Sequence, residues 1–250
     1  MRHKVTTELR YPGLWRGCVG AWNPGLGPSG LTLRDWSKFG NHGTLTNMDV
    51  ASDWITSGGR YALALDGTND YVVASRKAQI VAMSMWVFVT GVTGDRRLFS
   101  INTNAFSMYC GPNSYLVNAV YNNSDASASI TLNQSAWNHV CASFDGSVLK
   151  CYHNGVEKSS RSVTAATFST APIYFGSLDT SFNIQYWNGY MDDMMVFDVP
   201  VNAKNAALLA SRRGIAYELA PRRRSSVAVA GGFNAAWIPR RSLIVGGGTN

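Results

Sequence analysis

Two histidines and two cysteines crowd one stretch of the chain: His139, Cys141, Cys151 and His153. With Asp145-Gly146-Ser147 as a three-residue loop, Phe144 would pair with Val148. Cys141 would then face Cys151, and His139 would face His153, on one face of two neighbouring strands. Thiolates and imidazoles are zinc ligands, and facing cysteines can also close a disulfide. Geometry argues against zinc, because side chains at i and i+2 lie about 6.8 Å apart along a strand and cannot easily close a tetrahedron on a flat face. A shift of one residue in register would scatter all four groups. Three readings stay open: a zinc site, a Cys141–Cys151 bridge, or buried free thiols beside a hydrogen-bonded histidine, the last being the default.

Carboxylates offer less. Cleavage of a glycosidic bond uses two carboxyl groups roughly 5–9.5 Å apart. The chain has only three glutamates, Glu8, Glu157 and Glu218, and none has a carboxylate at i+2. Asp192 and Asp193 are adjacent, so on a regular strand they would point to opposite faces. No Ser/His/Asp or Cys/His pattern stands out. Gly25, Gly27 and Gly30 are framed by neither the strand nor the helix that a nucleotide fingerprint requires. The expectation is a protein that is not an enzyme and requires no cofactor.

The charge is concentrated. Of the net +7, residues 1–204 hold 15 Lys/Arg against 14 Asp/Glu. Residues 205–250 hold seven arginines, Arg212, Arg213, Arg222, Arg223, Arg224, Arg240 and Arg241, against Glu218 alone. Interleaved with them are the apolar pieces Val227-Ala228-Val229, Phe233, Trp237-Ile238 and Leu243-Ile244-Val245. Arginines alone would suit phosphates. Arginines with apolar anchors favour docking on a protein neighbour, with Phe233 and Trp237 as the large anchors, over nucleic acid.

The elements that must position these groups read as an all-β protein. Hydrophobic residues make up 46% and charged residues 15%, which allows a sizeable core and excludes global disorder. Expected strands are Tyr61–Leu65, Tyr71–Val73, Met83–Val89, Arg97–Ile101, Phe106–Cys110, Leu116–Tyr121, Trp137–Phe144, Leu149–His153, Ile173–Gly176 and Trp187–Phe197. Asp66-Gly67, Asp145-Gly146 and Asn154-Gly155 punctuate them as tight turns. One helix is expected, Ala203–Arg213, capped by Asn202 and stopped at Gly214. The chain thus divides into an N-terminal extended segment (1–16), a two-sheet antiparallel jelly-roll sandwich (17–200), a short C-terminal helix (201–214) and a basic extended arm (215–250). No apolar run reaches the roughly 18 residues of a membrane span, and residues 1–16 do not read as a signal peptide.

Six segments in order resemble laminin-G-like jelly rolls of the concanavalin A-like lectin/glucanase superfamily. They are Asp35-Trp36-Ser37 through Asn41-His42-Gly43-Thr44-Leu45, then Ala64-Leu65-Asp66-Gly67-Thr68-Asn69-Asp70-Tyr71-Val72, and Ser84-Met85-Trp86-Val87. Trp137-Asn138-His139-Val140 with Phe144-Asp145-Gly146, Tyr152-His153-Asn154-Gly155-Val156, and Trp187-Asn188-Gly189-Tyr190-Met191-Asp192-Asp193 with Val196-Phe197 complete the set. The resemblance implies a fold shared by lectins, adhesion modules, hydrolases and structural domains alike. Its hydrolases carry a glutamate-rich strand that this chain lacks. It also implies a structural calcium, held by Asp35, carbonyls near Asn41 and one of Asp192 or Asp193. The alternative is that Asp35 and Asn41 only cap turns. Trp15, Trp22, Trp36, Trp54, Trp187, Tyr109, Tyr115 and Tyr121 could include a sugar-stacking platform, with core packing as their expected role.

The tail, Gly214-Ile215-Ala216-Tyr217-Glu218 with Arg222-Arg223-Arg224-Ser225, is similar to endings of jelly-roll proteins of tailed phages. Together these features lead to the expectation of a non-enzymatic virion structural protein made in the host cytoplasm. It would be a capsid decoration or head-associated component, homo-oligomeric and anchored to other virion proteins by its arm. The alternative is a carbohydrate-binding adhesin or lectin module, of a phage tail fibre or of a cell, with a surface glycan as ligand.

Overall fold

The computed structural model describes residues 3–8, 10–75, 78–91, 94–102, 105–112, 114–122, 128–165, 171–178, 185–219 and 222–227. In chain order the elements begin with β1 (His3–Glu8), α1 (Pro12–Arg16), β2 (Cys18–Trp22), a 3-10 turn (Pro24–Leu26), β3 (Thr32–Leu33) and β4 (Gly43–Thr46). Next come β5 (Trp54–Ser57), β6 (Arg60–Asp66), β7 (Tyr71–Ala74), β8 (Ala82–Val89), β9 (Arg96–Ile101), β10 (Phe106–Cys110) and β11 (Leu116–Tyr121). Then follow β12 (Ala128–Thr131), β13 (Trp137–Phe144), β14 (Val148–His153), β15 (Val156–Ser162), β16 (Ile173–Phe175) and β17 (Asn188–Phe197). Two short helices, α2 (Ala203–Leu209) and α3 (Ala216–Leu219), precede β18 (Arg222–Val227).

The chain forms two compact units. Residues Arg10–Ala220 make one, and Met1–Leu9 with Pro221–Asn250 make the other. In the first, two antiparallel sheets run β12-β11-β10-β9-β16-β7-β4-β3 and β15-β14-β13-β8-β17-β6-β5, with β2 added against β17. The expected two-sheet jelly-roll sandwich is what the chain builds. Alternation assigns the faces: Met83, Met85, Val87 and Val89 of β8 enter the core between the sheets, while Ser84, Trp86 and Phe88 point away from it. Trp22, Trp187, Phe99 and Phe106 are fully buried in that core, each contributing about 1.5–3 kcal/mol or more by leaving water.

A second apolar layer covers one end of the outer face of the β8–β13–β17 sheet. Leu14 of α1, Val201, Ala206 and Leu209 at α2, and Ile215, Ala216 and Leu219 at α3 pack there on Ala82, Cys141, Tyr152, Met195 and Phe197. Residues 215–219 are therefore part of the sandwich unit, where the sequence places the start of the arm. Asn202 caps α2 as expected, accepting a bond from Asn205 N at 2.9 Å. The helix ends at Leu209, four residues short of the expected Arg213, because the chain turns there to bring Arg213 onto the sheet. The short elements α1 and α3 carried no capping signal in the sequence.

The smaller unit contains an antiparallel pair, β1 with β18, in a register that sets Glu8 opposite Arg222, Thr6 opposite Arg224 and His3 opposite Val227. Segments 3–8 and 222–227, far apart in sequence, thus meet in one ribbon. By sequence this unit holds seven Lys/Arg against Glu8, a net of +6, and the sandwich unit holds +1. Among the described residues no helix is long and apolar enough to cross a membrane.

Candidate functional site

β17 pairs with β8 along one edge, but its other edge changes partner. Asn188–Met191 lie against β6, and Met194–Phe197 lie against β2. Asp192 and Asp193 occupy the changeover. A bulge forms there, with Asp193 at φ +47° and a register shift against β8. The expectation that the two carboxylates face opposite sides fails for this reason: the bulge turns both into one buried cluster.

That cluster is an ion clasp. Arg60, at the start of β6, donates from Nε to Asp192 Oδ2 at 2.8 Å and from Nη2 to Asn23 Oδ1 at 2.8 Å. Arg213 Nε donates to the same Asp192 oxygen at 3.0 Å, and its Nη1 donates to the Ser57 carbonyl at 2.9 Å. Asp193 accepts from Asn23 Nδ2 and from the Gly214 N–H. Both aspartate side chains are closed to solvent. Burial pushes both carboxyls up from the ordinary value, repulsion by Asp192 adds to this at Asp193, and the two guanidiniums pull both back. The clasp straps residues 213–217 to the sheet, and Tyr217 Oη adds a bond to the Asn23 carbonyl at 3.3 Å.

The residues expected to hold calcium do not fit that ion. Asp35 accepts from Ala21 N, Ser37 N, Asn41 N and the Ser37 hydroxyl at 2.7–2.9 Å, so both its oxygens serve the loop. The Asn41 carbonyl accepts from Trp22 Nε1 at 2.8 Å. Asp192 and Asp193 face cations the protein itself supplies. Among the described residues no group of three His, Cys, Asp or Glu is arranged to hold a metal. Asp35 caps the loop through Ser37 N and Asn41 N, whereas the side chain of Asn41 accepts from the Ser75 hydroxyl at 3.3 Å.

The histidine–cysteine hairpin is corrected by one residue. Phe144 pairs with Leu149, Ala142 with Cys151 and Val140 with His153, because Asp145 Oδ1 accepts from Ser147 N and Val148 N and lengthens the loop to four residues. Cys151 therefore joins the inter-sheet core and Cys141 the outer layer. The four cysteines are free and buried. His139 Nε2 lies 2.8 Å from Ser84 Oγ, and His153 Nε2 lies 2.8 Å from Asn138 Oδ1. Neither a zinc site nor a Cys141–Cys151 bridge is formed.

Beyond the helical cover, the same outer face carries an aromatic strip that the sequence reading missed. Tyr190, Phe88 and Trp137 are direct cross-strand neighbours on β17, β8 and β13. Phe88 and Tyr190 stack with centroids 5.3 Å apart and an interplanar angle of 23°. Trp137 lies edge-on to Phe88 at 5.9 Å and bonds Ser57 Oγ through Nε1 at 3.1 Å. The Arg213 guanidinium sits 3.6 Å from the Trp137 ring centre. All three rings are partly exposed, next to Ala64 on β6. One step along the strands comes a polar rim, where Thr90 Oγ1 donates to Asn188 Oδ1 at 2.5 Å. The signal available in the sequence was parity: Phe88 lies on the outward-facing phase of a strand whose other phase is Met83, Met85, Val87 and Val89. The aromatics singled out instead go elsewhere, with Trp22, Trp54, Trp187 and Tyr121 all buried.

Of the residues expected to anchor a partner, Arg213 belongs to the clasp and Arg212 pairs with Glu218. Glu218 also receives Arg10 at 2.6 Å. Arg222, Arg223 and Arg224 lie on β18. Phe233, Trp237, Arg240 and Arg241 lie outside the described residues.

No curated protein sequence matches the chain significantly. Among solved structures, the binding domain of botulinum neurotoxin serotype D is similar with a TM-score of 0.59 and 12% identity, covering 79% of this chain and 52% of that one. A botulinum neurotoxin type C structure, described as entering cells through interaction with two ganglioside molecules, matches with the same score and identity over 79% and 51%. The chain thus spans about half the length of these neurotoxin domains. Domain 4 of AbnA, an extracellular arabinanase of Geobacillus stearothermophilus in complex with arabinotriose, has a TM-score of 0.59 and 16% identity over 78% of this chain and 98% of that one. These likenesses are of fold, and they are to binding domains. The pattern of the family described as "Concanavalin A-like lectin/glucanases superfamily" matches residues 66–207, more than half of the sequence, and the chain belongs to that superfamily.

Proposed function

We propose that this chain is a non-enzymatic display module: a structural component of a tailed-phage virion, such as a capsid decoration or head-associated protein, attached through its basic unit. The observation that carries this reading is the division of labour between the units. The sandwich is nearly neutral, while the ribbon unit built from both chain ends carries almost the whole net charge. Such a unit is too small to bury a core of its own and gains most by docking. Repeated copies on a particle would turn weak individual contacts into firm attachment. The resemblance of the tail to phage jelly-roll endings supports the same reading.

The test is removal of residues 1–9 and 221–250. The remaining sandwich keeps its core and clasp, so it should stay folded and monomeric while losing incorporation into particles. A truncated chain that still incorporates would overturn the proposal.

A second reading, a glycan-binding adhesin, is favoured by the strip of Phe88, Trp137 and Tyr190. Partly exposed rings beside a polar rim suit the apolar face of a pyranose and its hydroxyls. Glycan-array binding that disappears in Tyr190→Ser and Phe88→Ser would support it. Binding unchanged in both variants would exclude the strip.

A further inference from the structure

We infer that the outer face of the β17–β8–β13 sheet holds a small monovalent anion, of the size of chloride or bromide, between Trp86, His139 and Arg213. This goes beyond both readings above and depends on neither.

Three nitrogens of this face are closed to solvent and bond nothing among the described residues: Trp86 Nε1, His139 Nδ1 and Arg213 Nη2. His139 is wholly buried, and the Arg213 side chain is 10% exposed. The three belong to one patch. Asp192 on β17 and His139 on β13 are the direct cross-strand neighbours of Trp86 on β8. The Trp86 and His139 rings meet edge to face with centres 5.4 Å apart. Arg213 spans the same strands, from Asp192 at 3.0 Å to the ring of Trp137, two residues before His139. Buried polar groups are normally paired, so three unbonded ones on adjoining strands point to a ligand.

All three are donors. Indole and guanidinium N–H groups can only donate. Ser84 is fully buried, and its hydroxyl has His139 Nε2 as its partner at 2.8 Å. With no other acceptor among the described residues, the hydroxyl proton goes to Nε2, and the neutral ring carries its own proton on Nδ1. Asp192 cannot serve these donors. Its Oδ2 already takes Arg60 Nε and Arg213 Nε, and its Oδ1 takes the Asp193 N–H. Asp193 turns to Asn23 Nδ2 and the Gly214 N–H. One carboxylate is thus shared by two guanidiniums, and Arg213 keeps positive charge toward the patch. A water could accept from only two of the three donors, and it would bring two protons for which Trp86, His139 and Arg213 offer no acceptor. A single-atom anion accepts from all three and brings none, with a charge-assisted bond from the guanidinium. Larger anions such as sulfate do not suit nitrogens that are closed to solvent.

The test unfolds the full chain with urea in sodium bromide and in sodium gluconate, at one ionic strength of about 0.2 M so that screening is constant. An ion that binds only the folded state stabilises it. Bromide should lower the unfolding constant of the parent about tenfold more than that of Trp86→Phe, which keeps an aromatic ring and removes one donor. Trp36→Phe removes an unbonded indole N–H beside Tyr217 instead, and should respond to bromide as the parent does. An equal bromide response in the parent and Trp86→Phe would overturn the site. So would a loss of response in Trp36→Phe as large as in Trp86→Phe, since the effect would then belong to indoles in general. Crystals of the parent grown in bromide give a readout that needs no variant. An anomalous peak among the three nitrogens is expected, whereas no peak there, or peaks only elsewhere on the surface as an adventitious ion only, would overturn the inference.

Discussion

Arg213 and Asp192 are joined by a 3.0 Å hydrogen bond across 21 residues of chain, and the guanidinium that makes it also covers the Trp137 ring. This one side chain ties the segment after α2 to a bulge in the longest strand. A buried charge that loses its partner is costlier than the pair was favourable. Asp192→Asn should therefore destabilise the fold by about 3 kcal/mol in urea unfolding. Arg213→Met should cost about 2 kcal/mol, because Arg60 still neutralises Asp192. The double variant should lose less than the sum, by about 1 kcal/mol or more. Strict additivity would mean that the two residues do not act as a unit.

Gly214 tests the same clasp from the backbone. It holds φ +92°, and a Cβ there would come within 1.8 Å of Arg60 Nη1. Gly214→Ala should thus carry both the left-handed backbone penalty of about 1 kcal/mol and the displacement of Arg60. Gly30→Ala is the control, at φ +75° with open space around it, and should show the backbone penalty alone. Equal destabilisation of the two variants would argue that Arg60 moves aside freely.

The sandwich was legible in the sequence because its signals are local. Turn dipeptides such as Asn154-Gly155 adopt the positive φ values expected of them, +50° and +81°. Alternation in β8, β13 and β17 marked the core face. β15 was missed because Val156–Ser162 is an edge strand exposed along nearly its whole length, with no apolar phase to read. The site was less legible because it depends on long-range pairing. Nothing near Asp192 in sequence says that β17 exchanges β6 for β2 there. The side chain of Asp145 lengthened one loop by a single residue, which separated Cys141 from Cys151.

His139 gives a pH dependence with a definite sign. Burial, with a smaller effect of His153, lowers its pKa to about 3, so the fold holds it neutral beside Ser84. An unfolded histidine takes a proton near pH 6.5. Below that pH the unfolded chain binds a proton that the folded one refuses, so folding stability falls as pH falls. The loss should approach about 1.4 kcal/mol per pH unit between pH 6.5 and 4.5. His139→Gln keeps a hydrogen-bonding group without the titration. The stability of the parent relative to this variant should decline over that window, and a constant difference would show that His139 is protonated in the fold.

The cysteines supply a check on register. Burial pushes Cys110 and Cys151 up to about 12, and raises Cys18 and Cys141 as well, so the nucleophilic thiolate is scarce at neutral pH. Reaction with a disulfide reagent such as DTNB should therefore proceed only as fast as the sandwich opens, and its rate should follow the unfolding rate as denaturant is added. After air oxidation of the folded protein, all four thiols should still be counted in denaturant. Cys141 and Cys151 lie on opposite faces of their sheet, and a bridge between them would require a one-residue slip of β14 that turns its whole buried phase outward. Recovery of only two thiols, with a Cys141–Cys151 peptide found by mass spectrometry, would show that the hairpin takes the other register.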